Sequence, residues 1–240
     1  LSPDTLNPVM VDFYREVGYL PEALINYLLL LGWSLDDKTE TFSRSEMVRH
    51  FSLARVTRSP ASFDPQKLLA FQERQMRALS TAETAAMVLP FLGRAGLVSV
   101  PPTAAESRRI AAVVTAAGGR LKVAGDILNY PEFFEADDRL PYDQKAFQKR
   151  LRVDGAADRL RGFRAELATA EPFDAQTLDA ALHRFVEREG IAVGQIIHPL
   201  RVAVTGKAVG FGLFEGLAIL GRQACLNRVD RALAMTETAA

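Results

Sequence analysis

The chain is short of the residues that most often carry chemistry. Of its 240 residues one is a cysteine, Cys225, three are histidines, His50, His183 and His198, and one is a tryptophan, Trp33. A single cysteine cannot close an internal disulfide, so nothing ties the chain to an oxidising compartment and a cytoplasmic address is expected. One cysteine and three scattered histidines do not give the ligand spacing of a zinc site, so no metal and no resident cofactor are expected. There is no G-x-S-x-G elbow, and Gly210-Phe211-Gly212 lacks the preceding strand and third glycine of a dinucleotide-binding turn. Charge excess is missing as well: 29 Lys and Arg balance 29 Asp and Glu, so bulk charge does not point to nucleic acid. The longest apolar run, Leu24 to Trp33, is interrupted by Asn26 and is far shorter than the roughly 20 residues of a membrane-spanning helix, so no membrane partner is expected. The start, Leu1-Ser2-Pro3-Asp4, has neither a signal-peptide pattern nor an initiator methionine, and it reads as part of something longer.

What is abundant is apolar residues, 48% of the chain, set out between helix caps. Asn7-Pro8 reads as an N-cap with proline at the first helical position, with Gly18 as the stop. Pro21 opens a second helix, Ser43 with Glu46 has capping-box spacing, and Asp64-Pro65 opens a helix carrying Leu68, Leu69, Phe71 and Met76. The stretch from Phe51 to Phe63 has no helical period and reads as loop or a short strand. Caps recur at Ser80 with Glu83, at Thr103 and at Asp174. After Asp174 an apolar stripe of Leu178, Leu182, Phe185 and Val186 marks an amphipathic helix. The expected fold class is mainly α and multi-helical, in three units at about 1–78, 79–168 and 169–240.

Charge is uneven locally even though it sums to zero. Arg44, Arg49, Arg55 and Arg58 lie close together in sequence, opposed only by Glu46, and such a patch binds phosphate whatever the total charge. Lys207 is a further candidate phosphate contact.

Two blocks then give the sequence a family likeness. Pro199-Leu200-Arg201-Val202-Ala203-Val204-Thr205-Gly206, followed by Gly212-Leu213-Phe214-Glu215, resembles the end of bacterial-type glutamyl-tRNA synthetases, where a P-L-R-x-A-x-T-G run precedes a G-L-F-E helix start. Gly18-Tyr19-Leu20-Pro21-Glu22-Ala23-Leu24 with Gly32-Trp33-Ser34 resembles the family's segment just after its catalytic signature loop. The resemblance implies a stem-contact subdomain (1–78) followed by two helical-bundle anticodon-binding subdomains (79–168 and 169–240). It implies a class I parent that joins glutamate to tRNA(Glu) with ATP and Mg²⁺, while this chain, lacking the H-I-G-H-like and K-M-S-K-like motifs, is not catalytic alone.

The same resemblance names anticodon-reading residues. Arg120 falls where the family has R-x-x-T-L, although Val123 and Ala124 replace threonine and leucine. Arg201 falls without a gap on the arginine of the P-L-R run. Arginine suits the task, because its planar fork offers five donors and a stacking face to an unstacked base. Where the family often has Ser or Thr followed by Pro, this chain has Gly210-Phe211. Backbone groups or the Phe211 ring then stand in for the lost hydroxyl, a stacked base being worth roughly 1–3 kcal/mol. Leu213 completes the set at the start of the G-L-F-E helix. The expected partner is tRNA(Glu), with no DNA and a monomeric state. A non-enzymatic helical RNA-binding or protein-interaction adaptor is the alternative that zero net charge leaves open.

Overall fold

A computed structural model describes residues 10–36, 38–57 and 61–237. Among the described residues there are twelve α-helices, several 3-10 turns and no strand. The mainly α expectation holds. Asn7-Pro8 and Arg58 lie outside the described residues. The chain forms two compact units: the first runs up to Ala95 and includes Ala117–Asn129, and the second combines Gly96–Ala116 with the chain from Tyr130 onward.

The first unit contains α1 (Val11–Val17), α2 (Pro21–Leu30), α3 (Arg44–His50), α4 (Pro65–Ala78) and α5 (Thr81–Arg94). Its helix starts follow from local chemistry. The Ser43 and Ser80 side chains each accept from the backbone N–H three residues on, and Glu46 and Glu83 accept from the serine backbone in return. The Asp64 carboxylate accepts from Gln66 N at 2.8 Å and Lys67 N at 3.2 Å, with Pro65 in the first turn. Among its described residues the segment read as loop or a short strand is loop with one 3-10 turn, Leu53–Arg55. Tyr14, Ala23, Tyr27, Leu68 and Phe71 form a core that joins α1, α2 and α4. Two buried amides are fully used. Asn26 bonds Glu40 O and Phe42 N, and Gln72 accepts from Leu20 N at 2.8 Å while donating to Lys122 O at 3.1 Å. The returning segment 117–129 is held by a glycine contact: at Gly18, φ +97°, a Cβ would stand 2.8 Å from Ala124 Cβ.

The second unit contains most of α6 (Ala104–Ala117), then α7 (Gln144–Arg150), α8 (Ala156–Thr169), α9 (Ala175–Glu189), α10 (Gly194–Thr205), α11 (Leu213–Leu220) and α12 (Arg222–Glu237). Helix α8 is central, packing against α9, α10 and α12. The stripe read from sequence is inside: Leu178, Leu182, Phe185 and Val186 are all buried, and Phe185 meets Phe163 edge-on at 5.4 Å. Pro199, inside α10, cannot donate to Gln195 O four residues back; Arg159 Nε donates to that carbonyl at 3.2 Å. Arg228 of α12 is only 2% exposed. Its guanidinium reaches Asp137 Oδ1 at 2.7 Å and the carbonyls of Glu132, Val204 and Glu135 at 2.8, 2.9 and 3.0 Å, fastening the 132–137 stretch to the end of α10.

Candidate nucleic-acid interface

The end of α10 and the loop that follows are fixed by the Thr205-Gly206 pair. Thr205 Oγ1 donates to Arg201 O at 2.7 Å and accepts from Lys207 N at 3.3 Å. Gly206 is left-handed, φ +72°, and a Cβ there would fall 2.0 Å from Pro141 O, so only glycine permits this approach. Asp143 N donates to Gly206 O at 2.8 Å. The threonine and glycine of the motif are therefore structural: they seat the 206–212 loop beside the chain entering α7.

Arg201 stands half-buried on α10 with its Nη1 donating to Phe211 O at 2.8 Å. Burial holds its guanidinium below the usual value, opposed by the negative charge of Glu215. One donor is committed to the loop, and the others are left for an incoming acceptor. Gly210 is exposed, and a Cβ there would touch Arg201 Nη1 at 3.4 Å. The cleft around these residues is narrow, about 10 Å³, room for about one water.

Two expectations are corrected here. The Phe211 ring is not a free stacking face. It is 4% exposed, lies stacked on Phe133 at 4.9 Å and 18°, and is 5.4 Å from Tyr130, so its π-surface already belongs to the core. Lys207 is not a solvated phosphate contact. Its Nζ lies 2.8 Å from Glu132 Oε2, and that carboxylate side chain, 3% exposed, needs a counter-charge to be buried at all. The Leu213 side chain is buried too, leaving its backbone N–H in the first turn of α11 as the group it can offer.

The remaining candidates are solvent-facing. Arg120 ends a 3-10 turn of the first unit, exposed and without a hydrogen bond or ion pair among the described residues. Arg44 and Arg49 on α3 are exposed and unpaired in the same sense, whereas Arg55 donates to Leu35 O at 2.8 Å. Arg120 and Arg201 belong to different units.

Next to the 206–212 loop, the structure adds a feature that sequence reasoning did not single out. An open groove of about 780 Å³ lies between α7 and the start of the loop, its lining made of the apolar Pro141, Tyr142, Ala146 and Val209 together with Lys145, Lys149 and Arg150. None of these three cations has a hydrogen bond or ion pair among the described residues. Asp143, the nearby acid, is occupied in capping α7 through Ala146 N at 2.7 Å. The His198 imidazole is pushed down by burial and by the positive charges of Arg150 and Arg201, so Arg150 and Arg201 act on one neighbourhood. A signal was present in Lys145 and Lys149, four residues apart on α7, but the same pattern fits any solvated helix face.

Residues 83–233 match the family model described as anticodon binding domain. The chain belongs to the anticodon binding domain family. Residues 4–70 also match the model of the catalytic domain of class I tRNA synthetases (E and Q). Among relatives, the glutamate–tRNA ligase of Herpetosiphon aurantiacus is 37% identical over 230 residues, covering 95% of this chain and 46% of the relative. That of a Roseiflexus species is 38% identical over 96% of this chain and 46% of its own length. A crystal structure of a glutamate tRNA ligase from Elizabethkingia meningosepticum, in complex with its amino acid, superposes with a TM-score of 0.78 at 25% identity, covering 92% of this chain and 42% of that one. The chain thus spans about half the length of the relatives it matches. Both Arg201 and the α7 groove lie within the stretch that matches the anticodon binding domain. No helix of the described residues is long and apolar enough to cross a membrane.

Proposed function

We propose that this chain is the tRNA-binding, anticodon-recognising part of a glutamate–tRNA ligase, whose parent enzyme attaches glutamate to tRNA(Glu) for protein synthesis in the cytoplasm. The observation that carries this reading is the position of Arg201: it lies inside the anticodon-binding match, half-withdrawn from water, with unspent donors beside an exposed glycine loop. ATP and Mg²⁺ belong to the parent's chemistry. Among the described residues no group of three or more His, Cys, Asp or Glu could hold a metal ion.

In this reading 1–78 is the stem-contact region, and 79–168 and 169–240 are the anticodon-binding subdomains. Arg44, Arg49 and Arg55 neutralise stem phosphates and set register, which carries no sequence information. Arg120 and Arg201 bond base edges, and Gly210 and Leu213 contribute backbone groups. Phe211 contributes by holding the loop carbonyl that Arg201 grips. The chain acts as a monomer on RNA, not DNA. The test is fluorescence anisotropy of the chain with a transcript of tRNA(Glu) and with transcripts changed only in the anticodon. Salt-sensitive binding that weakens with the anticodon changes is expected. Equal affinity for all transcripts would contradict the reading, and an adaptor that ignores RNA would show no binding.

A further inference from the structure

We propose that the groove between α7 and the 206–209 turn seats the RNA phosphate backbone next to the anticodon, with Lys145, Lys149 and Arg150 as positioning residues. The proposal rests on the tRNA reading above and adds to it a site that the family motifs do not contain.

The argument begins with what each cation does for the fold. Lys207 is paired with the buried Glu132 and so serves the fold. Lys145, Lys149 and Arg150 border one depression without ion pair or hydrogen bond among the described residues; Asp143, the acid in the lining, caps α7 through Ala146 N, and its single negative charge is outnumbered. Burial first, and then the positive charges of Arg150 and Arg201, disfavour a proton on the neighbouring His198. Such repulsion is relieved by an anion.

Shape narrows the anion. The groove is open and about 780 Å³, far larger than one phosphate needs, and its lining includes the apolar Pro141, Tyr142, Ala146 and the 76%-exposed Val209. A lining of basic and apolar groups suits an extended polyanion that carries flat or apolar groups between its charges, the pattern of single-stranded nucleic acid. Rigidity comes from below. The Tyr142 hydroxyl donates to Ala203 O at 3.0 Å, and Gly206 closes on Pro141, so the rim is built on the same α10 that presents Arg201. RNA anchored along α7 is thereby registered against the Arg201 loop.

The test compares the wild-type chain with the triple variant Lys145→Gln, Lys149→Gln, Arg150→Gln. Anisotropy titrations against the tRNA(Glu) transcript are run across 50–300 mM KCl, and circular dichroism melts verify that both proteins are folded. The proposal predicts at least a tenfold loss of affinity at low salt and a fall of about 2 in the log–log salt slope, since each single-strand phosphate contact is worth about 0.7. The preference for the correct anticodon is unchanged. A single charge reversal, Lys149→Glu, is expected to weaken binding with the same retained preference, and it stands in if the triple variant fails to fold. Unchanged affinity and slope, with wild-type anticodon preference intact, would overturn the groove and leave the function reading standing. Wild-type protein that binds every transcript alike, or none, would overturn both.

Discussion

Arg228 and Lys207 carry the same charge as Lys145, Lys149 and Arg150, within the same unit, and the two sets differ in what neutralises them. Arg228 is enclosed by Asp137 and three backbone carbonyls, and Lys207 by a buried carboxylate. The α7 cations border a groove without a hydrogen bond or ion pair among the described residues. Identical residue types therefore serve two ends: the enclosed ones bring distant stretches of chain together, and the open ones wait for an external anion. Arg201 stands between the two sets, with one donor on Phe211 O and its remaining donors uncommitted.

The comparison predicts opposite signatures on substitution. The largest stability effect belongs to Arg228→Ala, which removes the counter-charge from Asp137, left with Asn227 Nδ2 as its donor, and strips the donor from buried carbonyls; urea unfolding should lose about 3–5 kcal/mol. Gly206→Ala comes next, forcing a Cβ onto Pro141 O at a positive φ, with an expected loss of about 2–4 kcal/mol in the same measurement. Lys207→Met strips the counter-charge from Glu132 and is expected to cost about 1–3 kcal/mol. Lys149→Gln lies at the other extreme, within about 0.5 kcal/mol of wild type in stability while weakening RNA binding. If Lys149→Gln destabilised the chain as much as Lys207→Met, the division between the two sets would fail.

Acidity gives the smallest and most specific test. Burial and two arginines hold the His198 imidazole down in the folded chain, so the unfolded chain binds the extra proton first. Stability is therefore complete above the unfolded value of 6.5 and declines as pH falls through it, until the folded chain is protonated as well. His198→Gln should remove that decline from urea midpoints measured between pH 8 and 5. At lower pH a different group takes over. Glu106 is held at about 2 by the Ser99 and Thr103 hydroxyls and N–H groups, so its contribution is present above 4.5 and is lost between 4.5 and about 2.

Much of the fold was legible because helix starts are written locally. Ser43 with Glu46, Ser80 with Glu83, and Asp64 with Pro65 each sit within four residues of the groups they satisfy. The Thr205-Gly206 pair was legible only as a motif, since its purpose depends on Pro141, which is more than sixty residues away. Lys207 and Phe211 were misread for the same reason: Glu132 and Phe133 lie some seventy to eighty residues upstream, and no local pattern announces them. Arg228 drew no notice in the sequence, where a basic residue in a terminal helix reads as solvated. The α7 cations were invisible for the opposite reason, because their surface context looks ordinary until the Tyr142–Gly206 closure turns it into a groove.

The most direct measurement of the central claim is the ratio of dissociation constants for the tRNA(Glu) transcript and a transcript with one anticodon base replaced, taken for wild type and for Arg201→Lys. A lost base contact is worth about 1–3 kcal/mol, so the wild-type ratio should be about tenfold or more. Arg201→Lys, which keeps the charge but loses the fork, should bring it close to one. A ratio near one for wild type at every anticodon position, or ratios unaltered by Arg201→Lys at all of them, would contradict the assignment of Arg201 as a reader.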